Sequence, residues 1–249
     1  MYKEYQIHPL LSPYVETYWM LNGFIEGELR HRVLPDGCVD ILIPLGRGAG
    51  DTRMKPFLPY VVGTMTTFFE VVYRGEMKIL GIRFKPGAIT AFTRVPVYSF
   101  TDTTVDMQSC ETIFDRSFYE ILEEKTEVMD ILSHVDTYLI SRLPSLFLLD
   151  NRIQYAVSLV EQSKGTLPIA LLAEKSCLSK RQFERRFIND VGISPKTFSR
   201  VIKFSNACCF LNEEPKKSLF ETAIDCGYYD HAHLIKEFKS LSGLSPAEF

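Results

Sequence analysis

The chain has 249 residues, enough for one or two domains, and its 46% hydrophobic and 24% charged residues exclude a disordered or fibrous class. The formal net charge of −3 excludes a uniformly basic nucleic-acid binder. The charge is uneven, however: residues 1–150 hold 14 Lys and Arg against 20 Asp and Glu, whereas residues 151–249 hold 14 against 11, so only the second part is suited to a polyanion.

The opening Met1-Tyr2-Lys3-Glu4-Tyr5-Gln6 lacks the apolar core of a signal peptide. No apolar run approaches the roughly 18 residues that cross a bilayer. The expectation is a cytoplasmic protein without a membrane segment. Its six cysteines (Cys38, Cys110, Cys177, Cys208, Cys209 and Cys226) form no CxxC pair and are expected to be reduced thiols.

The first hundred residues predict short strands. Val39–Ile43 follows the turn-forming Pro35-Asp36-Gly37, and Tyr60–Gly63, Phe68–Tyr73 and Ile79–Phe84 are β-branched or aromatic runs. Arg74-Gly75 and Pro86-Gly87 are read as turns between them, which predicts a small barrel or sandwich. From Glu111 the period becomes helical. Phe114, Phe118, Ile121 and Leu122 fit one face, and Val128, Ile131, Leu132, Val135, Tyr138, Leu139 and Leu143 fit a longer one that ends at Pro144. The long stripe suits either the chain's own barrel or a partner chain in a homodimer. The expected division is a β-rich sensor at 1–109, a helical linker and dimerisation segment at 110–149, and an all-α domain at 150–249.

The last hundred residues repeat. At an offset of 51, Phe187, Gly192, Ser194, Pro195 and Phe198 recur as Phe238, Gly243, Ser245, Pro246 and Phe249, while Ala173 matches Ala223 at an offset of 50. The second copy therefore has one extra residue in its turn. Each copy reads as a short helix, a turn and a second helix: Ile169–Ser176 then a helix capped by Ser179 in an S-x-x-Q box, and Leu219–Cys226 then a helix capped by Asp230. That arrangement is a helix-turn-helix, whose second helix can enter a DNA major groove. With Phe183 and Phe187 inward, Arg181 and Arg185 face out beside Gln182 and Glu184. With Leu234 and Phe238 inward, Ala232, Ile235, Lys236 and Lys239 face out. Arginine offers a planar fork to guanine, glutamate an acceptor to cytosine, and lysine a point charge to phosphate.

Ala173–Phe198, and Ala223-Ile224-Asp225-Cys226-Gly227-Tyr228-Tyr229-Asp230 with Phe238-Lys239 and Gly243-Leu244-Ser245-Pro246, resemble the AraC-type transcription regulators over about a hundred residues from Asn151 onward. The resemblance implies a double helix-turn-helix domain that binds double-stranded DNA. A long helix, here Pro195–Asn212 and roughly 25 Å long, would hold the two readers apart. It also implies Lys180, Arg181, Gln182, Glu184 and Arg185 as DNA contacts in the first copy and His231, Ala232, Ile235, Lys236 and Lys239 in the second, with RNA polymerase as a further partner. Ala232 and Ile235 stand where the family more often has small polar residues, so the second reader is expected to read bases weakly or through thymine-methyl contacts alone.

Tyr14–Trp19, Leu34–Asp40 and Gly81–Gly87 resemble a sensor segment of some such regulators. That implies an α+β chain with a cupin-like β module for a small-molecule effector or for dimerisation, and Trp19, Asp36 and Arg83 are the candidate effector contacts. No metal or cofactor is expected. Of the five histidines only His231 and His233 are close, and two residues apart on a helix they diverge. No Ser-His-Asp order or phosphate loop points to an enzyme. Two alternatives stay open for the N-terminal part, a pure interaction module and a divergent barrel enzyme. Convergent polar groups with perturbed pKa values would favour the enzyme.

Overall fold

A computed structural model describes residues 1–46, 54–107, 113–214 and 217–249; Cys110 and Glu111 lie outside them. Its N-terminal part is one antiparallel sheet of β1 (Tyr2–Tyr5), β2 (Val15–Val33), β3 (Val39–Pro44), β4 (Tyr60–Val62), β5 (Phe69–Phe84) and β6 (Thr104–Asp106), in the order β1-β2-β5-β3-β4-β6. Arg74-Gly75 does not end a strand, contrary to the sequence reading. Ile25 pairs with Gly75 and Leu29 with Tyr73, so three residues of β2 oppose Arg74 alone. Gly27 at φ 79° and Gly75 at φ 66° take the left-handed backbone that such a bulge needs, and the ribbon bends there.

Bending has a consequence for shape. Val33 pairs with Phe69 at one end of β5, and Val39 pairs with Phe84 at the other. The connection Leu34–Cys38 reaches about 20 Å at most, whereas a flat strand as long as β5 would hold those ends ~50 Å apart. The β2–β5 ribbon must therefore curl back on itself. The sheet is barrel-like in curvature but open, because β1 and β6 do not pair with each other among the described residues.

Strand alternation buries Val39, Ile41 and Ile43 of β3 with Tyr18 and Met20 of β2 and Leu80, Ile82 and Phe84 of β5. Helices α1 (Arg116–Glu123) and α2 (Val128–Arg142) add Phe118, Leu122, Ile131, Leu132, Val135 and Leu139 to the same core. One expectation is corrected here: Ile121 is 44% exposed, because about 100° of helix rotation from Leu122 leaves it at the rim. Of the two placements open to the α2 stripe, its own chain takes Ile131, Leu132, Val135 and Leu139 into the core, with Val128, Tyr138 and Leu143 partly buried against it.

The C-terminal part comprises α3 (Asn151–Gln162), α4 (Ile169–Lys175), α5 (Lys180–Val191), α6 (Pro195–Glu213), α7 (Leu219–Asp225) and α8 (His231–Ser242) around a second apolar cluster. The N-terminal part contributes Leu34 to that cluster. It also meets the C-terminal ends of α5 and α8, where four carbonyls of any helix lack partners. Thr64 Oγ1 donates to the Val191 carbonyl (2.7 Å) and Thr101 Oγ1 to that of Gly192 (2.8 Å). Thr67 Oγ1 donates to the Ser240 carbonyl at 3.0 Å, and Arg32 Nη1 lies 3.4 Å from that of Ser242. Both helices are thus held by their C-terminal ends, with their N-terminal halves turned away.

Thr64 is fully buried. Thr64→Val keeps its shape and removes one donor, and we expect a loss of about 1–3 kcal/mol in urea unfolding of the whole chain. Thr66→Val, which keeps the Val191 bond, should not reproduce that loss through α5.

Candidate nucleic-acid interface

The first reader is α5. Ser179 caps it, and the box closes as Ser179 N donates to Gln182 Oε1 (3.3 Å) and Gln182 N to Ser179 Oγ (3.4 Å). Gly192 at φ 92° ends it. Phe183 and Phe187 are buried, which leaves Lys180, Arg181, Glu184 and Arg185 exposed together. Gln182 is exposed too, but the cap occupies its carbonyl, so only its amide N–H groups remain open. Arg186 turns the other way and pairs with Asp150 at 2.9 Å. Arg181 and Arg185 have no ion-pair partner among the described residues and sit one turn apart.

The second reader is α8, capped by Asp230, whose carboxylate accepts from His233 N at 2.7 Å. Leu234 and Phe238 are buried; His231, Ala232, Lys236 and Lys239 are exposed, and Ile235 is half-buried. Half-burial leaves Ile235 less reach than the sequence pattern implies. Tyr229, which the sequence reading missed, is 86% exposed just before the cap. The signal was present: Tyr228 is the inward aromatic of the turn, so the next side chain points out. The turns contain four residues before α5 and five before α8, so the extra residue in the second copy is real.

Helix α6 sets how the readers stand. Phe198 packs on Phe187 of α5 (ring centroids 5.5 Å) and Phe204 on Phe238 of α8 (4.8 Å). Six residues separate the two phenylalanines, which is roughly 9 Å of rise and about 240° of rotation. Arg200 pairs with Glu237 of α8 at 2.7 Å, and Lys203 Nζ donates to the Gly227 carbonyl at 3.0 Å. The readers are therefore anchored on different faces of one rigid helix.

A second cluster lies on the sheet face opposite the N-terminal core. The register sets Thr17 and Asp40 on either side of Arg83. Arg83 lies 3.4 Å from both Asp36 and Asp40, and Trp19 Nε1 donates to Asp40 at 2.8 Å. The Trp19 ring lies against Gly81, where a Cβ would fall 2.0 Å from it. A cleft of about 500 Å³ opens alongside, lined by Glu4, Gln6, Glu16, Thr17 and Arg83 among others. Of the three expected effector contacts, only Arg83 lines the cleft. Asp36 reaches it through Arg83, and Trp19 is bonded to Asp40 outside the lining. Burial pushes Asp40 up to about 6, while Arg83 pulls against that rise. Burial opposes the charge of Arg83, yet Asp40 and Asp36 outweigh it and hold the guanidinium charged. Burial, with Asp36 and Glu16 nearby, pushes the Cys38 thiol well up, so it is no nucleophile. Among the described residues no group of three or more His, Cys, Asp and Glu is placed to hold a metal, and no helix is long and apolar enough to cross a membrane.

Comparison with known proteins agrees with this geometry. A helix-turn-helix domain family matches residues 172–249, and a domain of unknown function (DUF6597) matches residues 3–106. An uncharacterized HTH-type transcriptional regulator of Haemophilus influenzae is 31% identical over 101 residues, covering 40% of this chain and 34% of that protein. The HTH-type transcriptional regulator MtrA of Neisseria gonorrhoeae is 26% identical over 101 residues, covering 40% and 33%. The matched stretch thus spans about a third of each relative. ToxT from Vibrio cholerae shares the fold across both parts, with a TM-score of 0.53 at 9% identity over 94% of this chain and 97% of that one. A ToxT structure bound to (E)-4-(8-methylnaphthalen-1-yl)but-3-enoic acid gives 0.51 at 8% identity over 94% and 98%.

Asp40 makes the cluster sensitive to pH. A carboxyl raised in the folded state adds stability below its unfolded pKa, about 4, and loses it as pH rises through the folded value near 6. We expect Asp40→Asn to abolish this fall. Urea midpoints of the wild type should drop relative to the variant between pH 4 and about 6.5, and parallel curves would count against a raised Asp40.

Proposed function

We propose that this chain, whose residues 172–249 form a helix-turn-helix domain of the AraC type, is a sequence-specific regulator of transcription that reads two adjacent major-groove segments of double-stranded DNA. The observation that carries the reading is the pair of capped helices, α5 and α8, both seated on α6 by buried phenylalanines with their N-terminal halves exposed. In this reading Arg181 and Arg185 meet guanine edges and Glu184 accepts from cytosine. Lys180, Lys236 and Lys239 meet phosphates, and the free N–H groups of Gln182 reach the backbone beside them. In the second reader His231 and Ala232 meet base edges, Ile235 at most a thymine methyl, and Tyr229 the neighbouring sugar-phosphate. The reading implies work in the cytoplasm, with RNA polymerase as the downstream partner.

The cleft beside Arg83 is the proposed effector site, and its charge names a ligand class. Arg83 is already paired with two carboxylates, while Glu4 and Glu16 line the cleft. That leaves a negative opening for a small molecule bearing an amine or other cation. ToxT has been seen with an aryl-butenoic acid; the opposite charge preference is inferred for this chain from its own residues. An acid–base enzyme would use a group such as Asp40, but Trp19 and Arg83 cover Asp40 and it does not line the cleft.

Two measurements address this reading. Arg185→Ala should weaken binding to the specific site by roughly 1–3 kcal/mol and relax preference at one or two base pairs, whereas Lys239→Ala should weaken all duplexes alike and flatten the salt slope by about one. Equal losses on specific and random duplexes for both would sink the readout assignment. For the cleft, a panel of small amines should raise the melting temperature of the wild type by mass action, and Glu16→Gln should reduce the effect. A response confined to carboxylic acids would overturn the charge argument.

A further inference from the structure

The second helix-turn-helix is held to α6 at two points. Arg200 and Lys203 are three residues apart on one face of α6, yet they reach different parts of it. Arg200 pairs with Glu237 in the body of α8, next in sequence to the Phe238 ring that packs on Phe204. Lys203 reaches the turn that precedes α8. Its Nζ donates to the Gly227 carbonyl at 3.0 Å and stands 5.5 Å from the centre of the Tyr228 ring. The first contact seats α8 on α6, and the second resists its turning about that seat.

A corner of the first copy meets the same turn. Lys164 (φ 52°) and Gly165 (φ 73°) take the left-handed backbone between α3 and α4. A Cβ on Gly165 would fall 2.2 Å from the Ser199 carbonyl oxygen and 2.9 Å from the Lys203 nitrogen. The corner therefore lies directly on the backbone of α6, at the residue that carries the ammonium. Its next residue meets the second copy, because a Cβ on Gly227 would fall 2.7 Å from Thr166 Cγ2. The repeat supplies a control. Cys177 holds the matching place in the first turn, also left-handed at φ 52°, with its side chain exposed. The fold thus accepts a side chain at this place in a turn, and it is the approach of Thr166 that disfavours one at Gly227.

We propose that Lys203, braced by the Gly165–Thr166 corner, is the positioning residue that fixes the angle of α8 relative to α5, and so sets the spacing of the two DNA segments that one chain accepts. This inference rests on the DNA-binding reading. Lys203 touches no DNA in this assignment and acts through Gly227. One base pair added between the segments turns the second by about 35° and moves it about 3.4 Å. A reader free to rock on its phenylalanine seat follows such a change, and a latched one does not.

Spin labels at Glu184→Cys in α5 and Lys236→Cys in α8 measure the angle without DNA, in the full chain with Cys110, Cys177, Cys208 and Cys209 replaced by serine. The intact latch should give one narrow distance, and so should Lys203→Arg, which keeps a charged donor. Lys203→Met keeps the stem and loses the donor, and should broaden or shift that distance. In a second arm, unlabelled proteins bind a duplex that the wild type selects from a random pool, and versions one base pair longer or shorter between the two segments. Lys203→Met should lower the preference for the selected spacing about fivefold or more, and Lys203→Arg should keep it. A general loss of structure weakens all three duplexes alike and leaves that ratio unmoved. A wild type that selects no duplex would sink the DNA-binding reading and the spacing role with it. An unmoved label distance, an unchanged spacing ratio, or a Lys203→Arg chain that behaves as Lys203→Met overturns the proposal and leaves that reading standing. Should Lys203→Met lose its fold by circular dichroism, Thr166→Ser takes its place. It removes only the methyl at Gly227 and keeps the hydroxyl that donates to the Ser163 carbonyl, and a label distance unmoved by it overturns the proposal.

Discussion

The ring of Phe198 is the point at which three parts of the chain meet. It packs on Phe187 of the first reader, it belongs to the first turns of α6, and it lies under the turn at Gly37, where a Cβ would fall 2.5 Å from the ring. Gly37 also has φ 86°, so the turn needs glycine both for its backbone and for the close approach. On one side of this turn Leu34 enters the C-terminal core, and on the other Asp36 pairs with Arg83. Reader and connecting helix thus meet at one aromatic side chain, and the turn it supports links them through Asp36 to Arg83 of the cleft. A rigid interior transmits a shift at such a contact rather than absorbing it.

The same economy appears at the helix ends. The unpaired carbonyls of α5 and α8 need donors, and hydroxyls on loops of the N-terminal part supply them at Thr64, Thr67 and Thr101. Because the N-terminal part holds α5 and α8 at their C-terminal ends, their exposed N-terminal halves stay clear of it. The charge asymmetry fits this arrangement. Acidic residues predominate in the part that grips from behind, and basic ones on the surfaces that face away.

Much of the interface was legible in the residues themselves. Helix caps and apolar spacing are local, so Ser179, Asp230, Phe183 with Phe187 and Leu234 with Phe238 located both readers and the outward arginines. The longer turn of the second copy was readable from a one-residue change in repeat offset. The sheet was less so. Gly75 looks like a turn glycine, and only its pairing partner on β2 shows that it serves a bulge inside a long strand.

The sequence by itself determined the α+β order, the double helix-turn-helix and most of the outward-facing side chains of α5 and α8, because capping and helical period are set within a few residues of each position. Tertiary structure alone decided where non-local partners meet. It buried the α2 stripe in its own core, turned Arg186 to Asp150, and set Trp19 against Gly81 with its N–H on Asp40 instead of in the cleft. Those outcomes depend on which strands lie side by side and how the ribbon curls, and contacts between residues far apart in the chain carry no short-range signal.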